Sequence, residues 1–163
     1  LLADTLEQLG YQAESGPWRS VYLQGAYELR NGVPNAGGTN TASPDTIRAM
    51  PPSMLFDYLA VRLNPEKAAG KKMTINIDFT DINEKHSLNI ENAVLNHTTR
   101  YADKPDTTVT LTKKVLDDIQ LGQTTLEQEI ASGQVKITGD SKKFSEFVGM
   151  LDKFNFWFNI VTP

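Results

Sequence analysis

The sequence predicts an α+β fold: a five-stranded, mostly antiparallel sheet with helices packed on one face, preceded by two separate helices. Three observations carry this. Met73, Ile75, Ile77 and Phe79 alternate with Thr74, Asn76, Asp78 and Thr80, the period-two pattern of a strand with one buried face. Elsewhere apolar residues recur at helical spacing, most clearly at Trp18, Val21, Tyr22, Ala26 and Leu29, and again at Phe144, Phe147, Val148 and Leu151. Between the first helices and the rest lies "NGVPNAGGTNTASPD", rich in Gly, Pro, Asn, Thr and Ser and almost devoid of apolar residues. The predicted organisation is a helical segment at 1–31, a linker at 32–45 and an α+β unit at 46–163.

Leu2, Leu6 and Leu9 mark the first helix, which Gly10, Gly16 and Pro17 interrupt. Ser15 is a suitable N-cap for the second, with Pro17 at an early position and Asn31-Gly32 as its stop. Two helices this short cannot bury their stripes alone. The chain also begins without Met and inside a helical pattern, so the expectation is a piece of something longer. After the linker, "SPDTIRAM" and the stretch from Pro52 to Leu63 read as helices. The strand at 73–79 follows, then a hairpin turning near Glu91, Asn92 and Ala93. A strand at 107–112 points Val109 and Leu111 inward. Helices on Val115, Leu116 and Ile119 and on "TLEQEIASG" end at Gly122 and Gly133. "QVKITG" supplies the fifth strand, and Asp140 caps the last helix.

Hydrophobic residues make up 39% and charged residues 22% of 163 residues, enough apolar content to build a core. The net charge of −4 argues against nucleic acid, which needs a basic face. No apolar run approaches the roughly 20 residues that span a bilayer. Absence of Cys removes disulfides, thiolate metal sites and a thiol nucleophile. Only His86 and His97 remain as imidazole ligands, at a spacing that matches no metal motif, and both read as sheet-surface residues. No Gly-x-Ser-x-Gly elbow occurs, and "AGG" at 36–38 lacks the Lys-Ser/Thr ending of a phosphate loop. Asp78, Asp81, Glu84, Asp117 and Asp118 are scattered and read as solvated. Neither a catalytic nor a metal-binding residue is predicted.

Apolar recognition is the remaining chemistry. The helix from Pro52 is apolar on more than one side, through Met54, Leu55, Phe56, Tyr58, Leu59 and Val61. Such a helix sits deep in a core or faces two apolar neighbours, one of which can be a ligand. The last helix and the chain end add Phe144, Phe147, Met150, Phe154, Phe156, Trp157 and Phe158. Met and Phe adapt to elongated chains. The candidates for apolar ligand binding are therefore Met54, Phe56, Tyr58, Phe144, Phe147, Met150, Phe154, Phe156, Trp157 and Phe158; filled core is the competing reading.

The run from "KKMTINIDFTDINEKHSLNIENAVLNHTT" through "KPDTTVTLTKKVLDDIQLGQTTLEQEIASGQVKITGDSKKFSEFVGML" resembles the sterol-carrier-protein-like fold. The preceding "ADTLEQLGYQAESGPWRSVYLQGAYELRNG" is similar to the end of the dimerisation region of bacterial alkylsulfatases of the metallo-β-lactamase superfamily. That resemblance implies a parent with a two-zinc catalytic domain, a helical dimerisation domain and a sterol-carrier-like C-terminal domain. It implies a homodimer that hydrolyses sulfate esters of long alkyl alcohols such as dodecyl sulfate, the chemistry of detergent degradation. The family's Thr-His-x-His-x-Asp-His motif is absent here, so the two zinc ions are expected elsewhere in the parent and no cofactor in this chain. The expected role is to shelter the alkyl tail of a long-chain alkyl sulfate or fatty alcohol, with a periplasmic or secreted setting suggested by the family. A twelve-carbon tail offers roughly 8 to 10 kcal/mol of gross burial, before ordering costs. Two other readings stand beside it: a structural or dimer-interface module without a ligand, and a stand-alone lipid carrier.

Overall fold

The computed structural model describes residues 1–35, 37 and 43–162. It divides into two compact units, Leu1–Asn40 with Phe154–Pro163, and Thr41–Lys153. The sequence places 154–163 with the α+β unit, whereas the structure groups this segment with the helical one. Much of the predicted linker lies outside the described residues.

In the helical unit, α1 (Leu2–Gln12) and α2 (Gly16–Asn31) form an antiparallel pair joined by a three-residue turn. Gly10 permits their close approach: a Cβ there would lie 2.8 Å from Leu23. Arg30 bridges Asp4 and Glu7 on α1 at 2.6 and 2.9 Å. The chain end packs into the same unit. Glu28, only 2% exposed, accepts the amide hydrogens of Ile160 at 2.7 Å and Thr162 at 2.9 Å, and the Thr162 hydroxyl. Burying a carboxylate is costly unless donors replace its water, and this cluster of amides and a hydroxyl does so.

The second unit opens with α3 (Pro44–Ala49), α4 (Pro52–Arg62) and the single turn α5 (Pro65–Ala68), an element that the sequence pattern does not mark. The strands are β1 (Met73–Phe79), β2 (Glu84–Glu91), β3 (Val94–Thr98), β4 (Thr107–Leu111) and β5 (Lys136–Gly139). Between β4 and β5 lie α6 (Lys113–Gln120) and α7 (Leu126–Ala131), and α8 (Ser141–Gly149) closes the unit. The sheet runs β3-β2-β1-β4-β5. Three pairings are antiparallel and β1–β4 is parallel, in agreement with the mostly antiparallel expectation. Asn92 and Ala93, both at positive φ, form a two-residue hairpin turn between Glu91 and Val94.

The core lies between the sheet and the helices. Met73, Ile75, Ile77 and Phe79 of β1 are buried with Leu88 and Ile90 of β2 and Val109 and Leu111 of β4. The opposite face is not uniformly wet. Asn76 is also buried, because it donates to the Ala102 carbonyl and accepts the Ala102 amide, each at 3.1 Å. The segment after β3 thus covers a position that strict alternation assigns to solvent.

The histidines correct another expectation. His86 is 2% exposed on the inner face, its ring 5.0 Å from Phe56 and 6.0 Å from Phe79, with Nε2 3.1 Å from Glu84. His97 is half-buried, with Nε2 2.9 Å from Asp57. Both sit against Phe56 of α4. An imidazole is flat and apolar enough to fill a core position when one nitrogen finds a partner.

Candidate functional site

A cavity of about 230 Å³ lies within the second unit, between the sheet and helices α4, α6, α7 and α8. Its floor is the sheet: Ile77, Leu88, Val109 and Leu111. One wall is α4, through Phe56 and Leu59. Leu116 and Ile119 of α6 and Leu126 of α7 form a second wall, and Phe144, Phe147 and Val148 of α8 with Leu151 form a third. Arg62, Gln120 and Lys153 are the polar members of the lining. An apolar cavity of about 150 Å³ stays dry and admits benzene, so this larger one has room for an apolar guest.

Local chemistry holds the walls in place. Asp140 accepts the amide hydrogens of Lys142 at 2.9 Å and Lys143 at 3.4 Å, capping α8. The first amide of α6 donates to Asp81 at 2.7 Å, and the Thr112 side chain accepts from Val115. Burial pushes the Asp81 carboxyl up, but the amides of Lys113 and Lys114 outweigh it and hold it below its ordinary range. Asp81 is exposed, as its loop position implies, and it also anchors the start of α6. Lys113 and Asp117 are nearly buried and paired at 2.7 Å, and Lys113 also donates to the carbonyls of Ile47 and Arg48, tying α6 to α3.

The ends of α4 and α8 are joined by a short antiparallel bridge. Leu63 pairs with Leu151, the Asn64 amide donates to the Met150 carbonyl at 2.9 Å, and the Asp152 amide to the Arg62 carbonyl at 2.8 Å. Arg62 Nε returns a hydrogen bond to the Asp152 carbonyl at 2.7 Å, while its guanidinium carbon lies 5.6 Å from the Tyr58 ring centroid. The Asp152 carboxylate is turned to Lys67 at 3.0 Å and Asn64 at 2.8 Å, and these two hold its pKa below the usual carboxylate range.

Of the predicted apolar candidates, Phe56, Phe144 and Phe147 meet at the cavity. Met150 is buried in the same core but does not line the space. Met54, 54% exposed, and Tyr58, 46% exposed, lie on the outer side of α4. Phe154, Phe156, Trp157 and Phe158 belong to the helical unit and do not line the cavity; Phe154, Phe156 and Phe158 are exposed. The sheet floor and the α6 wall were legible only as core, because a cavity wall and a filled core carry the same apolar pattern. Arg62 and Lys153 gave no signal, because their placement depends on an end-to-end bridge between residues some ninety positions apart, and Gln120 reads as an ordinary polar helix residue.

A zinc centre does not fit these residues. Each histidine turns Nε2 to one carboxylate, and among the described residues no group of three His, Asp or Glu side chains is placed to hold a metal ion. No helix among them is long and apolar enough to cross a membrane.

An apolar cavity enclosed by a five-stranded mixed sheet and its helices defines a sterol-carrier-like α+β unit. The palmitated protein SCP2L2 from Aedes aegypti shares this fold at a TM-score of 0.50, with 15% identity, over 61% of this chain and 93% of its own. Within that class, the chain belongs to the alkylsulfatases: residues 40–163 match the family described as alkyl sulfatase C-terminal, and residues 1–32 the one described as alkyl sulfatase dimerisation. It is 54% identical over 162 residues to a linear primary-alkylsulfatase of Pseudomonas sp., covering 99% of this chain and 24% of that one. The stereoselective inverting sec-alkylsulfatase Pisa1 from Pseudomonas sp. superimposes at a TM-score of 0.79 with 44% identity, over 99% of this chain and 25% of that one. The chain thus spans about a quarter of the length of the relatives it matches.

Proposed function

We propose that the cavity takes the alkyl tail of a long-chain alkyl sulfate ester and holds the ester for hydrolysis by a zinc-dependent, metallo-β-lactamase-type domain of the parent polypeptide. The observation that carries this is an open apolar space of about 230 Å³ inside an alkylsulfatase C-terminal domain. A filled core needs no such space, since interiors pack to crystal density. The palmitated state of SCP2L2 supports the reading, as does the alkylsulfatase activity for which the Pseudomonas relatives are named. Binding energy gained along the tail, away from the bond that breaks, holds the ester in place for attack. For the helical unit the proposal is homodimerisation: Leu2, Trp18 and Val21 are exposed within the segment that matches the dimerisation family.

The test is a series of linear alcohols titrated into the 163-residue chain, followed by methyl NMR of its Leu, Ile and Val residues. Neither tryptophan lines the cavity, so intrinsic fluorescence would not report its filling. Affinity should rise about fourfold per added methylene until the space is full, from about 0.8 kcal/mol per buried CH₂. Shifts should fall on Ile77, Leu116 and Val148. The cavity-filling variant Leu116→Trp should abolish saturable binding while leaving the fold's NMR dispersion intact. Absence of saturable shifts in the native chain up to each alcohol's solubility limit would refute tail binding.

A further inference from the structure

The polar part of the cavity lining is not neutral. It comprises one amide, Gln120, and two cations, Arg62 and Lys153, in a chain whose net charge is −4. No carboxylate lies within ion-pairing distance of either cation among the described residues. Asp152 sits beside Lys153 in sequence, and its carboxylate hydrogen-bonds Lys67 and Asn64; Arg62 acts on it only through its charge, at a distance beyond an ion pair. Arg62 spends Nε on the Asp152 carbonyl and lies over Tyr58, which fixes the plane of its guanidinium and leaves the two terminal nitrogens available. An oriented guanidinium beside a flexible ammonium is the donor set for a tetrahedral oxyanion. The bridge between Arg62–Asn64 and Met150–Asp152 holds both cations on the cavity lining.

We infer that Arg62 and Lys153 bind the sulfate head of a single-chain alkyl sulfate whose tail occupies the cavity. This rests on the tail-binding reading above and adds to it a charge preference for the sulfate ester over the uncharged alcohol. Hydrolysis cleaves the ester to inorganic sulfate and an alcohol. The tail then loses its charged head, and the same two cations cease to retain it. The rim therefore favours entry of substrate and departure of product.

Octyl sulfate, octanoate and 1-octanol share a tail length and separate the two contributions. Calorimetric titration of the 163-residue chain at low ionic strength should find octyl sulfate about tenfold tighter than 1-octanol, from two half-exposed charge contacts of roughly threefold each. Raising the salt to about 0.5 M should shrink that preference, since exposed charges are screened. Lys153→Gln, at an exposed side chain, should leave thermal stability unchanged and cut the ratio of octyl sulfate to octanol affinity about threefold. Arg62→Lys should retain most of it, and Arg62→Gln should not. Equal affinity for octyl sulfate and octanol in the native chain overturns the head assignment and leaves tail binding intact. Tighter binding of octanoate than of octyl sulfate overturns the assignment to a sulfate. Failure of all three to bind removes tail binding and the rim assignment together.

Discussion

Glu28 shows how one side chain decides where a segment goes. Its carboxylate collects the Thr162 hydroxyl and the amides of Ile160 and Thr162, which hold its pKa below the ordinary carboxylate range against the opposing effect of burial. Gly25 supports the same contact, since a Cβ there would stand 3.0 Å from Val161. A carboxyl depressed in the folded state contributes stability that is complete above its ordinary range near 4.5 and is lost as pH falls through the folded value. Attachment of the chain end should therefore be full at neutral pH and loosen in acid. Glu28→Gln presents an NH₂ group to donors and should release the segment even at pH 7. Hydrogen exchange at Ile160, Val161 and Thr162 reads both effects: faster exchange in the variant, with α1 amides unchanged, is the expected result. Nothing in the sequence marks Glu28. It sits on a helix whose other charges are ordinary, and its partners lie more than 130 residues away.

At the scale of elements, caps and alternation carried most of the fold. The strand period at 73–79, the hairpin at Asn92-Ala93 and the Asp140 cap all arise from interactions within a few residues, and those are what sequence periodicity encodes. Burial of Asn76 and His86 was not legible, because each depends on a neighbour from elsewhere: the Ala102 backbone for one, Phe56 and Phe79 for the other. The α8 cap links element to site, since α8 supplies Phe144, Phe147 and Val148 to the cavity wall. Asp140→Ala removes the acceptor for two amides at the first turn and should cost about 1 kcal/mol, read as a lower denaturation midpoint. Asp140→Ser, which caps comparably, should recover most of the loss. An unchanged midpoint for the alanine variant would mean that water replaces the cap without penalty.

At the scale of the molecule, the aromatic chain end is the instructive case. Phe154, Phe156, Trp157 and Phe158 lie close in sequence to the α8 residues that line the cavity, and composition alone groups them together. The structure groups them with the helical unit, whereas Phe56, almost a hundred residues earlier, meets Phe144 and Phe147 at the cavity. Every residue that lines the cavity lies between Phe56 and Lys153, within the second unit. That unit has its own core, with sheet, covering helices and the α4–α8 bridge all internal to it. A fragment spanning 41–153 should therefore fold cooperatively and bind 1-octanol within about twofold of the 163-residue chain, a difference below about 0.4 kcal/mol. The fragment ends at Lys153, so its new terminal carboxylate adds a negative charge beside the rim and should weaken octyl sulfate more than octanol. Extending the fragment by a few residues moves that charge away and should restore the sulfate preference. A fragment that folds yet binds neither ligand would place the apolar recognition outside the cavity, in the aromatic segment it lacks.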